Sequence, residues 1–169
     1  FIVGFENIDE EVKKEQEHIE ALNRANELAR RDGLTETRNV IAFREFEASI
    51  QKSMDSGTGH SPFAVVICDI NDLKTLNDHN GHKAGDEYIF KASRMICDIF
   101  AHSPVYRTGG DEFVAILTGR DYMIRRDLIL ALHDRSVEHI STRDVVVSGG
   151  LSEYKAGEDK SFHDVFEHS

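Results

Sequence analysis

The chain has 169 residues, 40% hydrophobic and 30% charged, the balance of a folded globular protein rather than a disordered one. Lys and Arg number 20 against 31 Asp and Glu, so the net charge is −11, which excludes the basic footprint of a nucleic-acid binder. A phosphate-bearing ligand would have to recruit something positive, most simply a divalent cation.

No apolar run reaches the roughly 18 residues of a membrane span. The start has neither the basic nor the long apolar segment of a signal peptide. It also lacks a Met, so the sequence reads as a fragment of something longer, expected to be cytoplasmic either as a whole or as the cytoplasmic part of a larger, even membrane-anchored, protein. Cys68 and Cys97 form no disulfide framework and read as two buried reduced thiols.

In chain order, the first element is a helix predicted over 8–31. Neither Pro nor Gly falls between Gly4 and Gly33, and Glu, Lys, Arg, Ala and Leu dominate. A marginal heptad runs along it, with Val12, Ile19 and Asn26 at a and Ile8, Glu15, Leu22 and Ala29 at d. A solvated helix packing on its own domain fits this pattern; a dimerising or signal-transmitting helix fits it better. Asp32 or Thr35 can cap a second helix over 37–52, whose apolar face carries Val40, Ile41, Phe43, Phe46 and Ile50. Residues 53–61 form a loop by composition. The β-branched run 62–70 predicts a strand buried on both faces. A helix over 71–80 follows, punctuated by Gly81 and Gly85, and then one over 86–100 with Ile89, Phe90, Ala92, Met95, Ile96 and Ile99 inward. Two strand-like runs, 105–108 and 111–117, are joined by Gly109-Gly110, a strong hairpin signal. A helix over 121–138, a strand over 144–148 continuing through a glycine kink over 149–154, and the start of a helix over 159–169 complete the chain. The order is mixed α/β (α+β), with an antiparallel component rather than a clean βαβ winding.

Asp69 is the oddity within this plan, a carboxylate in an otherwise apolar strand. A buried, unpaired carboxylate costs several kcal/mol. Asp69 therefore either caps the next helix or faces a cation at the strand's end. A second acidic site, Gly109-Gly110-Asp111-Glu112, favours the cation: two glycines leave room for a ligand beside the backbone, and two carboxylates follow at once. If the hairpin pairs beside the strand ending at Asp69, the carboxylates converge and are tolerated only with a divalent ion between them. All-oxygen ligands suit Mg²⁺ or Mn²⁺ rather than Zn²⁺. The intervening segment offers free N–H groups at a helix start, Lys74 as a point charge for phosphate, Asn77 as an amide donor and acceptor, and Asp86 as a carboxylate able to accept from an amino-imino edge such as that of guanine; taken alone, Asn77 and Asp86 read as ordinary helix-end residues.

Three spaced motifs, Asp69-Ile70-Asn71, Asn77-Asp78-x-x-Gly81-His82-x-x-Gly85-Asp86 and Arg107-x-Gly109-Gly110-Asp111-Glu112-Phe113, closely resemble the GGDEF domain family, the diguanylate cyclases. Asp32-x-Leu34-Thr35, Asn39 and Val147-Ser148-x-Gly150 are similar to its opening motif and late strand. The resemblance implies a GGDEF domain over 32–169, lacking its C-terminal end, with a central sheet like the palm of nucleotide cyclases and polymerases. It implies that two GTP molecules become cyclic di-GMP and pyrophosphate across a homodimer formed through the GGDEF faces and the N-terminal helix. By position, Asp69, the Ile70 carbonyl and Asp111 would hold the metal. Glu112 would support it or assist deprotonation, so that Asp111, Glu112 and Asp69 form the catalytic group. Asn77 and Asp86 would read guanine, and Lys74 with the backbone at Asp72 and Leu73 would hold phosphates beside Gly109 and Gly110.

Departures from the family pattern are Asn71 in place of an acidic residue, Glu36-Thr37-Arg38-Asn39 in the opening motif, and Phe100-Ala101-His102-Ser103 where the family's inhibitory product site has Arg-x-x-Asp. No feedback inhibition is expected through that site. Residues 1–9 resemble the last strand of a PAS sensor domain running into a signalling helix, which makes 1–31 a PAS-like tail plus coiled-coil helix and implies an upstream sensor domain. The rival reading is a degenerate GGDEF module that binds GTP and regulates a partner without catalysis; a purely dimerising scaffold is the third.

Overall fold

In the computed structural model, which describes residues 3–56 and 61–167, the chain forms two units, Phe1–Arg31 and Asp32–Ser169. The first contains one helix, α1 (Val3–Ala29). The strand expected over 1–9 is not formed: Phe1 and Ile2 lie outside the described residues, and from Val3 the backbone is helical. A lone strand leaves its N–H and C=O groups unpaired, whereas a helix satisfies them within the segment. Ile8, Val12, Ile19 and Leu22 are each more than half exposed along α1.

The second unit is built on a four-stranded sheet of order β2-β3-β1-β4. Its strands are β1 (Ala64–Ile70), β2 (Val105–Arg107), β3 (Glu112–Leu117) and β4 (Val147–Glu153), and every neighbouring pair is antiparallel. β1 lies in the middle, which is why its sequence is apolar on both faces. Period-2 alternation sends Ala64, Val66, Cys68 and Ile70 into one core and Val65 and Ile67 toward another. The first core is covered by α4 (His82–Ile99) and α6 (Arg125–Thr142), through Ile89, Ala92, Met95, Ile96 and Leu132. The second is covered by α2 (Val40–Asp55) and α7 (Phe162–Glu167), where Phe43, Phe46, Phe63, Tyr106 and Phe162 form an aromatic cluster. Between β1 and α4 lies α3 (Leu73–Asn80), and α5 (Gly119–Met123) precedes α6.

Several local expectations are corrected. Asn39, not Asp32 or Thr35, caps α2: its Oδ1 accepts from the backbone N–H of Ile41 and Ala42, each at 3.1 Å. α2 runs on to Asp55, into the expected loop, of which 57–60 lie outside the described residues. α4 begins at His82 and takes in Gly85, and Phe90 on it points outward, 44% exposed. The helix expected over 121–138 is broken at Ile124. There Arg125 donates to the Tyr122 carbonyl at 2.9 Å, lies over the Tyr122 ring and pairs with Glu153. The late strand begins only at Val147, because Val146 spends its N–H on the Tyr88 hydroxyl and its carbonyl on Asn71 N. Gly149 on β4 admits α6: a Cβ there would lie 2.6 Å from Leu132 Cδ2 and 3.0 Å from Ile129 Cδ1.

Candidate active site

Antiparallel register decides what meets at the end of β1. Asp69 is the direct partner of Glu112, and Ile70 N donates to the Asp111 carbonyl at 3.0 Å. Asp69 shares its strand face with Val65 and Ile67, Glu112 with Val114 and Ile116, so both carboxylates stand on the α2/α7 side of the sheet. Like charges directly opposite one another across a ladder repel. Partial burial, and then the Asp111 and Glu112 charges, push the Asp69 carboxyl above the ordinary aspartate value. This is the electrostatic condition a cation relieves. The candidate donors are the Asp69 and Asp111 carboxylates and the carbonyl of Ile70, the residue after Asp69 at the end of β1; all are oxygen, a set that suits Mg²⁺ or Mn²⁺. Among the described residues no three His, Cys, Asp or Glu side chains gather as a ready-made metal cluster, so the fit rests on this mixed set.

The turn carrying Asp111 is closed by Thr108 N and Gly109 N donating to the Glu112 carbonyl at 3.0 and 3.4 Å. Gly109 and Gly110 are exposed, and neither has a positive φ. Their lack of side chains matters for space: a Cβ at Gly110 would meet nothing within 4 Å, so the turn is open to an incoming ligand. Arg107, given no role by sequence reasoning, braces this turn. Its Nη2 donates to the Gly110 carbonyl at 2.8 Å and its Nη1 to Asp32 Oδ1 at 3.0 Å. Only a charge pattern in three dimensions could have found that pairing, since 75 residues separate the partners.

Beyond β1 the backbone turns at Asp72, which has φ 60° and offers no side-chain cap to α3. The N–H groups at the start of α3, Leu73 among them, therefore have no competing side-chain acceptor from the cap. Lys74 is exposed. Asn77 is held against α4 at Gly85, where any Cβ would collide with its side-chain amide, and its Oδ1 is buried with no hydrogen-bond partner among the described residues. Asp86, the next residue along α4, is exposed. The structure thus gathers Asp69, Ile70, Asp111 and Glu112 at one place and Asn77 beside the Gly85-Asp86 step at another, with Asp72, Leu73 and Lys74 in the chain between. Asn71, the departure from the acidic pattern, has its side-chain oxygen taken by Ser148 Oγ at 2.8 Å. A groove of about 540 Å³ lies along α3 between Asp72, Thr75, His79, Tyr88 and Arg143; of the expected site residues only Asp72 lines it. Burial pushes the Cys68 thiol up to about 12, consistent with an inert thiol.

The site thus sets opposed carboxylates on an antiparallel sheet beside a Gly-Gly turn, and its class follows from the proteins that share this sequence and fold. Residues 29–169 match the family profile described as "Diguanylate cyclase, GGDEF domain", and the chain belongs to the GGDEF domain family. It is 39% identical over 74 residues to diguanylate cyclase DosC of Escherichia coli (strain K12), which covers 43% of this chain and 15% of that protein. It is 32% identical over 109 residues to the probable diguanylate cyclase DgcC of the same strain, covering 63% of this chain and 29% of that one. The chain therefore spans only a minor part of the length of these curated relatives. Among solved structures, the coiled coil and GGDEF domain of DgcB from Caulobacter crescentus, in complex with c-di-GMP, superposes with a TM-score of 0.68 at 25% identity, covering 95% of this chain and 87% of that one.

Proposed function

We propose that this chain carries a diguanylate cyclase domain, condensing two GTP into cyclic di-GMP with release of two pyrophosphates. The observation that carries the reading is the placement of Asp69 opposite Glu112 with Asp111 at the adjoining turn. Asp69, the Ile70 carbonyl and Asp111 would hold Mg²⁺ or Mn²⁺, which would supply charge neutralisation and hydroxyl activation when bound. The N–H groups at Asp72 and Leu73 and the Lys74 ammonium receive the phosphates. The side-chain amide of Asn77 and the exposed Asp86 carboxylate meet the amino and imino N–H groups of guanine, an edge that adenine does not offer in that form.

In each half-reaction the 3′-oxygen of one GTP forms a bond to the α-phosphorus of the other. The bond from that phosphorus to the bridging oxygen breaks, and pyrophosphate leaves with the electron pair. Glu112, opposite Asp69 across the ladder, would receive the hydroxyl proton or steady the cation. Gly109 and Gly110 let the second nucleotide approach the backbone. Two protomers face one another, each holding one GTP, so orientation rather than new covalent chemistry supplies much of the acceleration. The exposed stripe Ile8, Val12, Ile19 and Leu22 on α1 pairs with its copy and brings the two domains together.

Incubation of the chain with GTP and Mg²⁺ tests this, followed by detection of cyclic di-GMP and pyrophosphate. GTP binding with neither product, under conditions where a known cyclase turns over, rejects it. That outcome belongs to the second reading, a GTP-binding regulatory module, which the engagement of Asn71 by Ser148 favours because it leaves the site one acidic ligand fewer.

A further inference from the structure

We infer that Thr108 is a positioning residue for Glu112, an inference that rests on the cyclase reading above. Thr108 Oγ1 donates to Glu112 Oε1 at 2.6 Å, and the same residue's N–H donates to the Glu112 carbonyl at 3.0 Å. The hydroxyl lies 3.5 Å from that carbonyl too, too long to compete with the carboxylate bond. A separation of 2.6 Å is a short, well-formed O–H···O hydrogen bond.

Glu112 needs such a hold. It is exposed at the first position of β3, faces Asp69 across the ladder and follows Asp111 in the chain, so two like charges stand beside it. Left alone, its side chain would swing out into water, away from Asp69. Arg107, the cation of the same turn, is committed to Asp32 and to the Gly110 carbonyl. Among the described residues Thr108 supplies the side-chain hydrogen bond to Glu112. One carboxylate oxygen is thereby pinned to the turn, and the other remains for the cation or the attacking hydroxyl. The residue between Arg107 and Gly109 thus takes part in the site, although the motif leaves that position open.

The test is a titration of the chain with Mn²⁺ by electron paramagnetic resonance, in the presence of a non-hydrolysable GTP analogue. It uses the wild type, T108V, T108A, T108S, E112Q and the double variant T108V/E112Q. Removing a hydrogen bond to a charged group predicts that T108V weakens Mn²⁺ binding about tenfold. T108A, which adds no bulk to the turn, must match T108V, and T108S must restore wild-type binding. In the E112Q background T108V must have no further effect, because the two side chains act as one unit. Turnover follows the same order, with kcat falling and KM for GTP unchanged. Wild-type Mn²⁺ binding in T108V and T108A, alongside weakened binding in E112Q, overturns the role of Thr108 and leaves the cyclase reading standing. Additive losses in the double variant overturn it as well. If E112Q binds Mn²⁺ as tightly as the wild type, the reading of Glu112 fails, and the inference with it.

Discussion

Arg107 and Asp32 form an ion pair at 3.0 Å that joins the first residue of the second unit to the turn bearing Asp111. Both side chains are largely buried, 13% and 22% exposed, so the pair is neither screened like a surface contact nor free of desolvation cost. Burial opposes ionisation of Asp32. Hydrogen bonds from Thr35 N and Thr35 Oγ1, together with the Arg107 guanidinium, outweigh it and hold the carboxyl below the ordinary aspartate value.

The pH dependence follows. A carboxyl depressed in the folded state contributes stability above its unfolded value and loses it as pH falls through the folded value. Asp32→Asn therefore lowers stability by about 2 kcal/mol at pH 7. The gap from wild type narrows below about pH 4 and closes in stronger acid. Melting temperatures of the two proteins across that range check this; a gap constant with pH would show that the charge is irrelevant.

The acidic cluster makes the second prediction. Asp111→Ala abolishes formation of cyclic di-GMP while circular dichroism stays that of the wild type, because Asp111 sits on an exposed turn outside both cores. Adding Mn²⁺ raises the melting temperature of the wild type, since the ion binds only the folded arrangement, and chelation reverses the gain. The Asp111→Ala protein shows no such rise.

Gly85→Ala is the third. Alanine improves helix propensity by about 1 kcal/mol, but its Cβ would overlap the Asn77 amide, and such overpacking costs about 1–3 kcal/mol. The side chain of Asn77 moves aside more readily than two packed helices separate. GTP affinity measured by calorimetry therefore falls more than stability does, and Asn77→Ala reproduces the loss of affinity alone. Unchanged binding in Gly85→Ala would place the guanine edge elsewhere.

A fourth prediction concerns α1. Ile19→Asp with Leu22→Asp puts charge into the exposed a and d stripe. If the chain pairs through α1 as proposed, light scattering after size exclusion shows a dimer for the wild type and a monomer for the double variant, whose product formation falls steeply on dilution. Persistence of the dimer would assign association to the GGDEF faces instead.

Local signals carried much of this architecture. The β-branched run ending in Cys68-Asp69-Ile70 marked a central strand, the Gly109-Gly110 pair marked a hairpin, and the charge-rich stretch before Gly33 marked α1, because each depends on residues adjacent in the chain. Boundaries were less legible. Asn39 displaced Asp32 as the cap because Asp32 was already engaged by Thr35 and Arg107. Gly85, read as punctuation, lies within a helix because the partner that requires its small size, Asn77, sits on another one.

By itself the sequence marked out which residues were candidates for chemistry: acidic side chains at the ends of apolar runs and a glycine pair at a turn, while a base-reading role for Asn77 and Asp86 came only with the family resemblance. Only the tertiary structure decided that Asp69 faces Glu112, that Arg107 ties Asp32 to the Gly110 carbonyl, and that Thr108 grips the Glu112 carboxylate. The physical reason is the period of a strand. A slip of one residue between β1 and β3 would send either carboxylate to the opposite face. That register is set by the two cores and the helices covering them, not by any short stretch of chain.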